Sequence, residues 1–453
     1  MHIKYWLLKI VLCCGVVLAL GGSLYAAETE AEAEAEAEVE AEVEVEVDAD
    51  AEVDAEVDAE AEVEADADAE VLEDSSPKGW DFAFLPILNF TSDRGTGYGA
   101  YIANYYHGDG HGQEQPYQAS IGLQFYQATK DYSFHKVLLD FPNIFDSGIR
   151  LDVFSGYQIW DSAWYFGIGD ATPRLLPENT PEQFYEANLR SLWMIPTLRI
   201  PLAPKWKLYW GNTVRHTEVE VYPGSRLDLE QPVGVKGGLF VSSALGVMLD
   251  TRNKEPNTES GVFSEISARL SHPWMGSKWT MWGANLTHRQ WLTLIAPDEL
   301  IFAYRIGLDL QDGKVPFFHQ HVLGGSQWVE FGGNRAMRGL ANGRYRGNVT
   351  AYSNFELRWL PLRFSSGKKK YDILAASFMD VGRVWNFDED TDPYRMHYTF
   401  GGGPRLSYND VFVIRLDLAV AFEHYNTSED LLGTMSHERK RITGIYILVH
   451  HPF

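Results

Sequence analysis

Cysteine is almost absent from this chain of 453 residues, which has only Cys13 and Cys14. Both fall within the first 26 residues, a segment that we predict to be removed on export. The rest of the chain then contains no cysteine at all. Disulfides and thiolate chemistry are therefore excluded from it.

Long apolar runs are missing beyond the N-terminus. The one extended apolar stretch, residues 10–20, follows Lys4 and Lys9 and precedes the small residue of Leu24-Tyr25-Ala26. A basic start, a short apolar core and a small-residue cleavage site are typical of a secretory signal peptide, which we predict for residues 1–26. The stretch is too short for a spanning helix, which takes roughly 20 residues, so a polytopic helical membrane protein is also excluded.

Basic residues are absent between Glu28 and Asp74, where 24 acidic residues alternate with small or apolar ones. In a strand these carboxylates would all face one side, so their repulsion favours disorder. We predict residues 27–78 to be a disordered, acidic low-complexity segment. Two interpretations stay open, a solvated spacer and a ligand for Ca²⁺ or for a basic partner. No strongly basic region remains elsewhere to neutralise phosphates, which argues against nucleic-acid binding.

Aromatic residues and glycine are abundant from Trp80 onward. This part of the chain holds 58 of the 61 aromatic residues, and the whole chain has 40 glycines. Aromatic girdles at two membrane interfaces are one physical reason for such a composition. A large β-sandwich or propeller is the alternative.

Alternating patterns decide between these folds. In 149–159, 300–310 and 412–422 one face is apolar, while the other carries mid-strand charges such as Arg305 and Asp417. Tilted strands of about 11 residues cross an apolar band of about 25 Å, and sandwich strands are shorter. We count about sixteen such segments and predict an all-β fold, a transmembrane antiparallel β-barrel over residues 79–453.

One connection, from Gly313 to Arg344, is too long for an ordinary turn. Glycines in it permit close backbone packing, and it carries several arginines, which would need charged partners in a confined lumen. We therefore predict a long loop folded into the barrel. The arginines between Gly324 and Gly347, and the candidate acidic partners in the following strands, are Arg335, Arg338, Arg344, Arg346, Glu356 and Asp380.

Four short motifs occur in order along residues 79–453. They are Trp164-Tyr165-Phe166-Gly167-Ile168-Gly169-Asp170; Asp250-Thr251-Arg252-Asn253 with Pro256 and Gly261; Gly324-Gly325, Met337-Arg338-Gly339-Leu340 and Asn354-Phe355-Glu356-Leu357-Arg358; and Phe378-Met379-Asp380-Val381-Gly382-Arg383-Val384-Trp385. In sequence and in order they resemble the barrel of the BamA/TamA superfamily, the bacterial surface antigen family. A terminal Phe453 on an alternating strand likewise resembles the C-terminal sorting signal of outer-membrane barrels.

This resemblance implies a barrel of 16 strands closed between its first and last strands. It implies that Arg338, next to Gly339, reaches acidic residues in the lumen that match Glu356 and Asp380. It also implies a role in inserting or translocating polypeptides at the bacterial outer membrane. The family's POTRA domains have no counterpart here, because only the acidic segment occupies their place.

The expected partners and the alternatives follow from this barrel. We expect a monomer that contacts outer-membrane lipids, is inserted by the barrel-insertion machinery and has no cofactor. The acidic segment, in the periplasm, would be the contact for a periplasmic protein. A passive diffusion pore is the first alternative, which an inward loop would obstruct. An outer-membrane hydrolase with a site at the barrel rim is the second, but no nucleophile stands at a motif spacing from the histidines, so we predict no enzyme.

Two smaller features complete the sequence-based expectations. Pro86 in the first strand and Pro452 near the end of the last one lack a backbone N–H, so the seam between these strands should hold the fewest hydrogen bonds. Frayed strand ends with an intact closure are the alternative. His319 and His321 have a spacing that could hold a metal, but with no visible third ligand we predict histidines at the rim or interface.

Overall fold

A computed structural model of the protein describes residues 79–108, 117–144, 146–170, 183–254, 257–295, 298–327, 329–366, 369–387, 396–408, 412–429 and 435–449. The predicted signal peptide, the acidic segment, Pro452 and the terminal Phe453 lie outside these residues. Among the residues described, no helix has the length and apolar character needed to cross a membrane.

Strands dominate the described residues. In chain order they are β1 (Trp80–Thr91), β2 (Gly95–Tyr106), β3 (Ala119–Ala128), β4 (Tyr132–Ile144), β5 (Ile149–Trp164), β6 (Glu186–Ala203), β7 (Trp206–Val221), β8 (Gly238–Asp250), β9 (Gly261–Ser271), β10 (Met281–Ile295), β11 (Leu300–Gly313), β12 (Val322–Leu323), β13 (Val329–Glu330), β14 (Val349–Ser366), β15 (Lys369–Trp385), β16 (His397–Tyr408), β17 (Phe412–Glu429) and β18 (Met435–Val449). One short helix, α1 (Arg226–Glu230), follows β7, and a 3-10 turn (Pro273–Met275) follows β9.

Sixteen of these strands form a closed antiparallel barrel, and β12 and β13 form a separate two-stranded hairpin. Each barrel strand pairs with its neighbours in the chain, except that β11 pairs with β14 and β1 closes on β18. The predicted fold class is thus confirmed. We call the end with the connection from β11 to β14 the loop end, and the opposite end the turn end.

Alternation along the strands separates the lumen from the outer surface. In β10, Asn285 and Arg289 are buried toward the lumen, whereas Trp282 and Leu286 on the other face are 49% and 46% exposed. An outer face of exposed aromatic and aliphatic side chains is what a lipid-facing wall requires. The strands are longer than the apolar runs in the sequence because they continue beyond the apolar band. β17, for example, has 18 residues.

The seam between β1 and β18 is the shortest ladder in the described wall. Only two residue pairs join these strands, Phe90 with Ile447 and Thr91 with Tyr446. At the loop end, the Ser92 N–H donates to the Ile445 carbonyl at 3.2 Å and the Ser92 hydroxyl accepts from the Ile445 N–H at 2.8 Å. The part of β1 nearer the turn end has no β18 partner in the residues described. A weak seam therefore remains a prediction, since Pro452 lies outside the described residues.

Candidate functional site: the lumen loop and the barrel seam

The connection from β11 to β14, residues 314–348, folds into the barrel, and we call it the lumen loop. Its burial follows from two apolar clusters. Near its start, Phe317 and Phe318 pack with Tyr165, Phe240 and wall residues. Farther along, side chains before and after Arg338 pack against one another and against the barrel wall. The loop residues of this cluster are Leu323, Val329, Phe331, Ala336, Met337, Leu340 and Tyr345, and the wall residues are Tyr352, Val384 and Ala421. The aromatic and aliphatic residues therefore draw the loop inward, and the arginines are carried with it.

Arg338 lies at the centre of a buried ion-pair cluster. Its Nε and Nη2 donate to the two carboxylate oxygens of Asp380 at 2.9 and 2.7 Å, and its Nη1 donates to Glu356 Oε2 at 2.8 Å. The backbone N–H of Arg338 also donates to Asp380, at 3.0 Å. All three side chains are 0% exposed. The structure thus brings together the arginine and both acidic residues that the sequence singled out.

The cluster continues beyond these three residues. Asp417 on β17 lies 3.6 Å from Arg338 Nη1, and Asn354 donates to Asp380 at 2.8 Å. Glu356 also accepts from Arg358 at 2.7 Å and from Arg405 at 2.9 Å. Burial alone lowers the pKa of the Arg338 guanidinium, but the adjacent carboxylates of Asp380, Glu356 and Asp417 raise it above its ordinary value. The arginine is therefore held charged and bidentate, the geometry in which guanidinium–carboxylate pairs are strongest.

Asp417 is a partner of Arg338 that the sequence alone does not predict. Its one signal was the charge in mid-strand on the non-apolar face of β17. An aromatic contact was missed as well, since the Arg338 guanidinium lies 3.4 Å from the centre of the Phe378 ring. Cation–π contacts of this kind add about 2 kcal/mol or more when they are desolvated. Phe378 and Asp380 stand two residues apart on β15, so one strand supplies both contacts.

Gly339 brings the tip of the lumen loop against the last strand. Its φ of +96° is in the region that favours glycine, and its N–H donates to the Tyr446 hydroxyl at 2.9 Å. A Cβ on Gly339 would lie 3.1 Å from that of Ala421, and a Cβ on Gly444 would lie 2.8 Å from the Cα of Gly339. Glycine at both positions lets the two backbones approach closely.

The lumen loop also contacts the other side of the seam. The backbone N–H of Asn342 donates to Asp93 at 3.3 Å, and Glu330 lies 3.9 Å from Arg94. Asp93 and Arg94 form the turn that follows β1. Because Tyr446 on β18 contacts the same loop, the loop bridges the two strands that close the barrel.

The motif from Trp164 to Asp170 packs against the lumen loop. Gly167 and Gly169 both have positive φ, +107° and +111°, and the Gly169 N–H donates to the Arg346 carbonyl at 2.7 Å. The next residue, Asp170, is buried and accepts from His397 at 2.7 Å and from Arg383 at 3.1 Å. This motif therefore ties the connection after β5 to the loop and to the opposite wall.

Gly382 makes room for the lumen loop. A Cβ there would lie 2.8 Å from the Met337 sulfur and 2.9 Å from a ring carbon of Phe331. Asp250 and Arg252 lie elsewhere, at the turn end, where the Arg252 guanidinium donates to both Asp250 oxygens at 2.9 and 2.8 Å. That pair closes the turn between β8 and β9 and does not join the Arg338 cluster.

The predicted rim histidines of the lumen loop lie near the loop end of the barrel, since His319 contacts Phe240 close to the start of β8. His319 and His321 are buried, because the loop that carries them folds inward, and the His319 ring lies 4.4 Å from that of Phe240. Burial and then nearby arginines lower the pKa of both, that of His321 to about 3. In the described residues no group of three or more His, Cys, Asp or Glu is arranged to hold a metal.

Acid should therefore loosen the lumen loop. In the unfolded chain a histidine has a pKa near 6.5, so below that pH the unfolded state binds the proton and the folded state does not. The free energy of unfolding should therefore fall as the pH drops below 6.5, by roughly 1 kcal/mol per pH unit at most for His321 alone. Thermal unfolding in detergent at pH 7.5 and 5.0 measures this. H321Q should show a smaller difference in thermal midpoint between the two pH values. If H321Q shows the same difference as the unmodified protein, other groups cause the pH dependence.

Comparison with known proteins identifies the family of this chain. The model of the Omp85 superfamily domain matches residues 110–436, so the chain belongs to the Omp85 superfamily of outer-membrane β-barrels. The resemblance to BamA and TamA drawn from four motifs is confirmed at this level. No curated protein matches the sequence.

Solved structures also resemble this chain at low sequence identity. BamA from Haemophilus ducreyi lacking POTRA domains 1–3 has a TM-score of 0.52 and 15% identity, over 83% of this chain and 70% of that one. CdiB from Escherichia coli has a TM-score of 0.45 and 11% identity, over 80% of this chain and 62% of that one. At 15% identity, the likeness to BamA concerns the barrel fold alone.

Proposed function

We propose that the protein inserts polypeptides into the outer membrane, or translocates them across it, by opening the seam between β1 and β18. The observation that carries this proposal is the two-pair ladder between those strands. A backbone hydrogen bond contributes about 1 kcal/mol net, so this line separates at a lower free-energy cost than the longer ladders beside it. Through an opening there, a strand of the polypeptide to be inserted (the client) could reach both the lumen and the lipid.

The orientation in the membrane is part of the proposal. Outer-membrane barrels carry their longer connections outside and their short turns in the periplasm. The loop end then faces the exterior, and the turn end faces the periplasm, with the part of β1 that has no β18 partner among the described residues. A client arriving from the periplasm would meet the weak part of the seam first. The acidic segment before residue 79 would then lie in the periplasm, where a periplasmic protein could bind it.

The lumen loop weighs against the passive pore. Arg338, Leu340 and Tyr345 are at most 1% exposed, so the centre of the barrel is filled where a solute would have to pass. The loop also contacts both strands of the seam, through Tyr446 and Asp93. We infer that it keeps the barrel closed at rest and supports the loop end of the seam. We assign the protein no enzymatic role.

Hydrogen exchange should reveal the weak seam. In nanodiscs, amides of β1 and of Leu448 and Val449 should exchange faster than those of β10 and β11, whose ladder runs from Met281 to Ile295. Each missing hydrogen bond of about 1 kcal/mol corresponds to roughly a fivefold faster opening. Equal protection of the seam and of the β10–β11 pair would contradict a weak seam.

Reconstitution tests the proposed function. Liposomes that carry the protein should accelerate the folding of an unfolded outer-membrane barrel added on the turn-end side, measured as protease-resistant, heat-modifiable product. Empty liposomes and liposomes with an unrelated barrel of similar size are the controls. An equal rate in all three would refute the proposal.

A further inference from the structure

The lumen loop makes a second polar contact with the barrel wall, at residues 324–327. The backbone N–H of Ser326 donates to Glu265 Oε1 at 2.7 Å, and the Ser326 hydroxyl donates to the other carboxylate oxygen. The next residue, Gln327, accepts from Arg289 Nη1 through its side-chain oxygen at 2.6 Å. Two consecutive residues of the loop therefore hold one acidic and one basic side chain of the wall.

Neither of these charged side chains is in an ion pair. Glu265 and Arg289 are buried, with 3% and 4% of their surface exposed. Among the described residues, the hydrogen bonds of Glu265 come from Ser326 alone, and Arg289 donates to Gln327 alone. All four residues line one small cavity between the loop and the wall. Both buried charges thus depend on neutral groups of the loop, although a partner of opposite sign lies on the same cavity.

The ladder between β9 and β10 places the two side chains within reach of each other. Glu265 is paired with Thr287, and Arg289 is paired with Phe263, so the two charges are diagonal neighbours on the lumen face. Long side chains contact each other at this spacing. On its other side, Arg289 stands directly opposite Arg305 in the β10–β11 ladder. Like charges in directly opposite positions repel, which favours the turn of Arg289 toward Glu265.

We propose that Glu265 and Arg289 are a latent ion pair, which forms when residues 324–327 of the lumen loop leave the wall. The other arginine on the lumen face of β9, Arg269, does not compete for Glu265. It is held by Asp309 through hydrogen bonds of 2.9 and 2.7 Å. The new pair replaces the contacts that the loop gives up, so the withdrawal leaves neither Glu265 nor Arg289 without a partner.

The position of this wall gives the latent pair a role. In the closed ring of sixteen strands β9 is the ninth from β1, so the β9–β10 wall lies across the lumen from the seam. The Arg338 cluster holds a later part of the loop to β14, β15 and β17. Residues 324–327 can therefore withdraw first, while the tip stays anchored. This role rests on the proposed function, since the movement makes room in the lumen for a client that enters at the seam.

A crystal structure of S326A/Q327A tests the pair directly. This variant removes both loop side chains that contact the two charges and keeps the charges themselves. The Glu265 carboxylate and the Arg289 guanidinium should then lie within about 4 Å of each other, the usual limit for an ion pair. Side chains that remain apart in this variant would refute the latent pair.

Hydrogen exchange of residues 324–327 in nanodiscs measures how often the segment leaves the wall. The informative quantity is the exchange rate of R289Q divided by that of the protein with Arg289. If the pair forms on withdrawal, this ratio should be about tenfold lower with Glu265 present than in an E265Q background, as expected for two directly coupled residues. R289K keeps the charge, so with Glu265 present its exchange rate should stay closer to that of the unmodified protein than the rate of R289Q does.

Two exchange results would overturn the proposal. One is the same ratio in both backgrounds, because the two side chains would then not interact when the loop leaves. The other is a higher ratio with Glu265 present, because the charges would then interact more strongly with the loop in place. No client takes part in either experiment, so a failed latent pair leaves the proposed insertion activity standing, and a failed folding assay leaves the pair standing.

Discussion

R338A should destabilise the barrel by about 3–5 kcal/mol and open its lumen. Removing one partner of a buried ion pair leaves the other charge stranded, and here Asp380 and Glu356 would both lose their bidentate or direct contact with the guanidinium. The lumen loop would lose its central anchor. We expect a lower thermal midpoint in detergent and, in planar bilayers, frequent conductance steps that the unmodified protein does not show.

Two matched variants define what Arg338 contributes. R335A removes an exposed arginine three positions away in the same loop and should change the conductance little. R338K keeps the charge but loses the planar fork that reaches both carboxylates at once, so it should behave closer to R338A than to the unmodified protein. A closed, stable R338A barrel would mean that the apolar clusters alone hold the loop.

Much of the barrel could be predicted from the sequence. Alternation with a period of two over long segments predicts strands with a polar lumen. From Leu300 to Leu310, for example, Arg305 and Asp309 share one face, and both side chains are buried in the structure. The family resemblance added the closure and the meeting of Arg338 with Glu356 and Asp380. These features depend on local pattern and on motifs, which a sequence displays directly.

Other parts of the site depend on how the barrel closes. Asp417 reaches Arg338 because β17 lies two strands from β15 on a curved wall, and no spacing along the chain indicates this distance. The inward position of His319 and His321 follows from the packing of Phe317 and Phe318 with distant strands. Contacts of this kind arise from long-range register, which periodicity does not encode.

Locking the seam should abolish the proposed activity. Phe90 and Ile447 are paired across it, so F90C/I447C can form a disulfide between β1 and β18, and the absence of cysteine after Cys14 leaves no competing thiol. L286C/L308C, at a register pair of the β10–β11 ladder, is the matched control, because it joins two strands that the proposal keeps together. Neither pair includes a residue of the Arg338 cluster.

The rate at which a barrel with a locked seam folds a client tests the proposed opening between β1 and β18 most directly. With F90C/I447C, liposomes should accelerate the folding of the added barrel under reducing conditions and lose that acceleration after oxidation. L286C/L308C should remain active in both states. An oxidised F90C/I447C barrel, fully cross-linked and as active as its reduced form, would contradict an opening between β1 and β18.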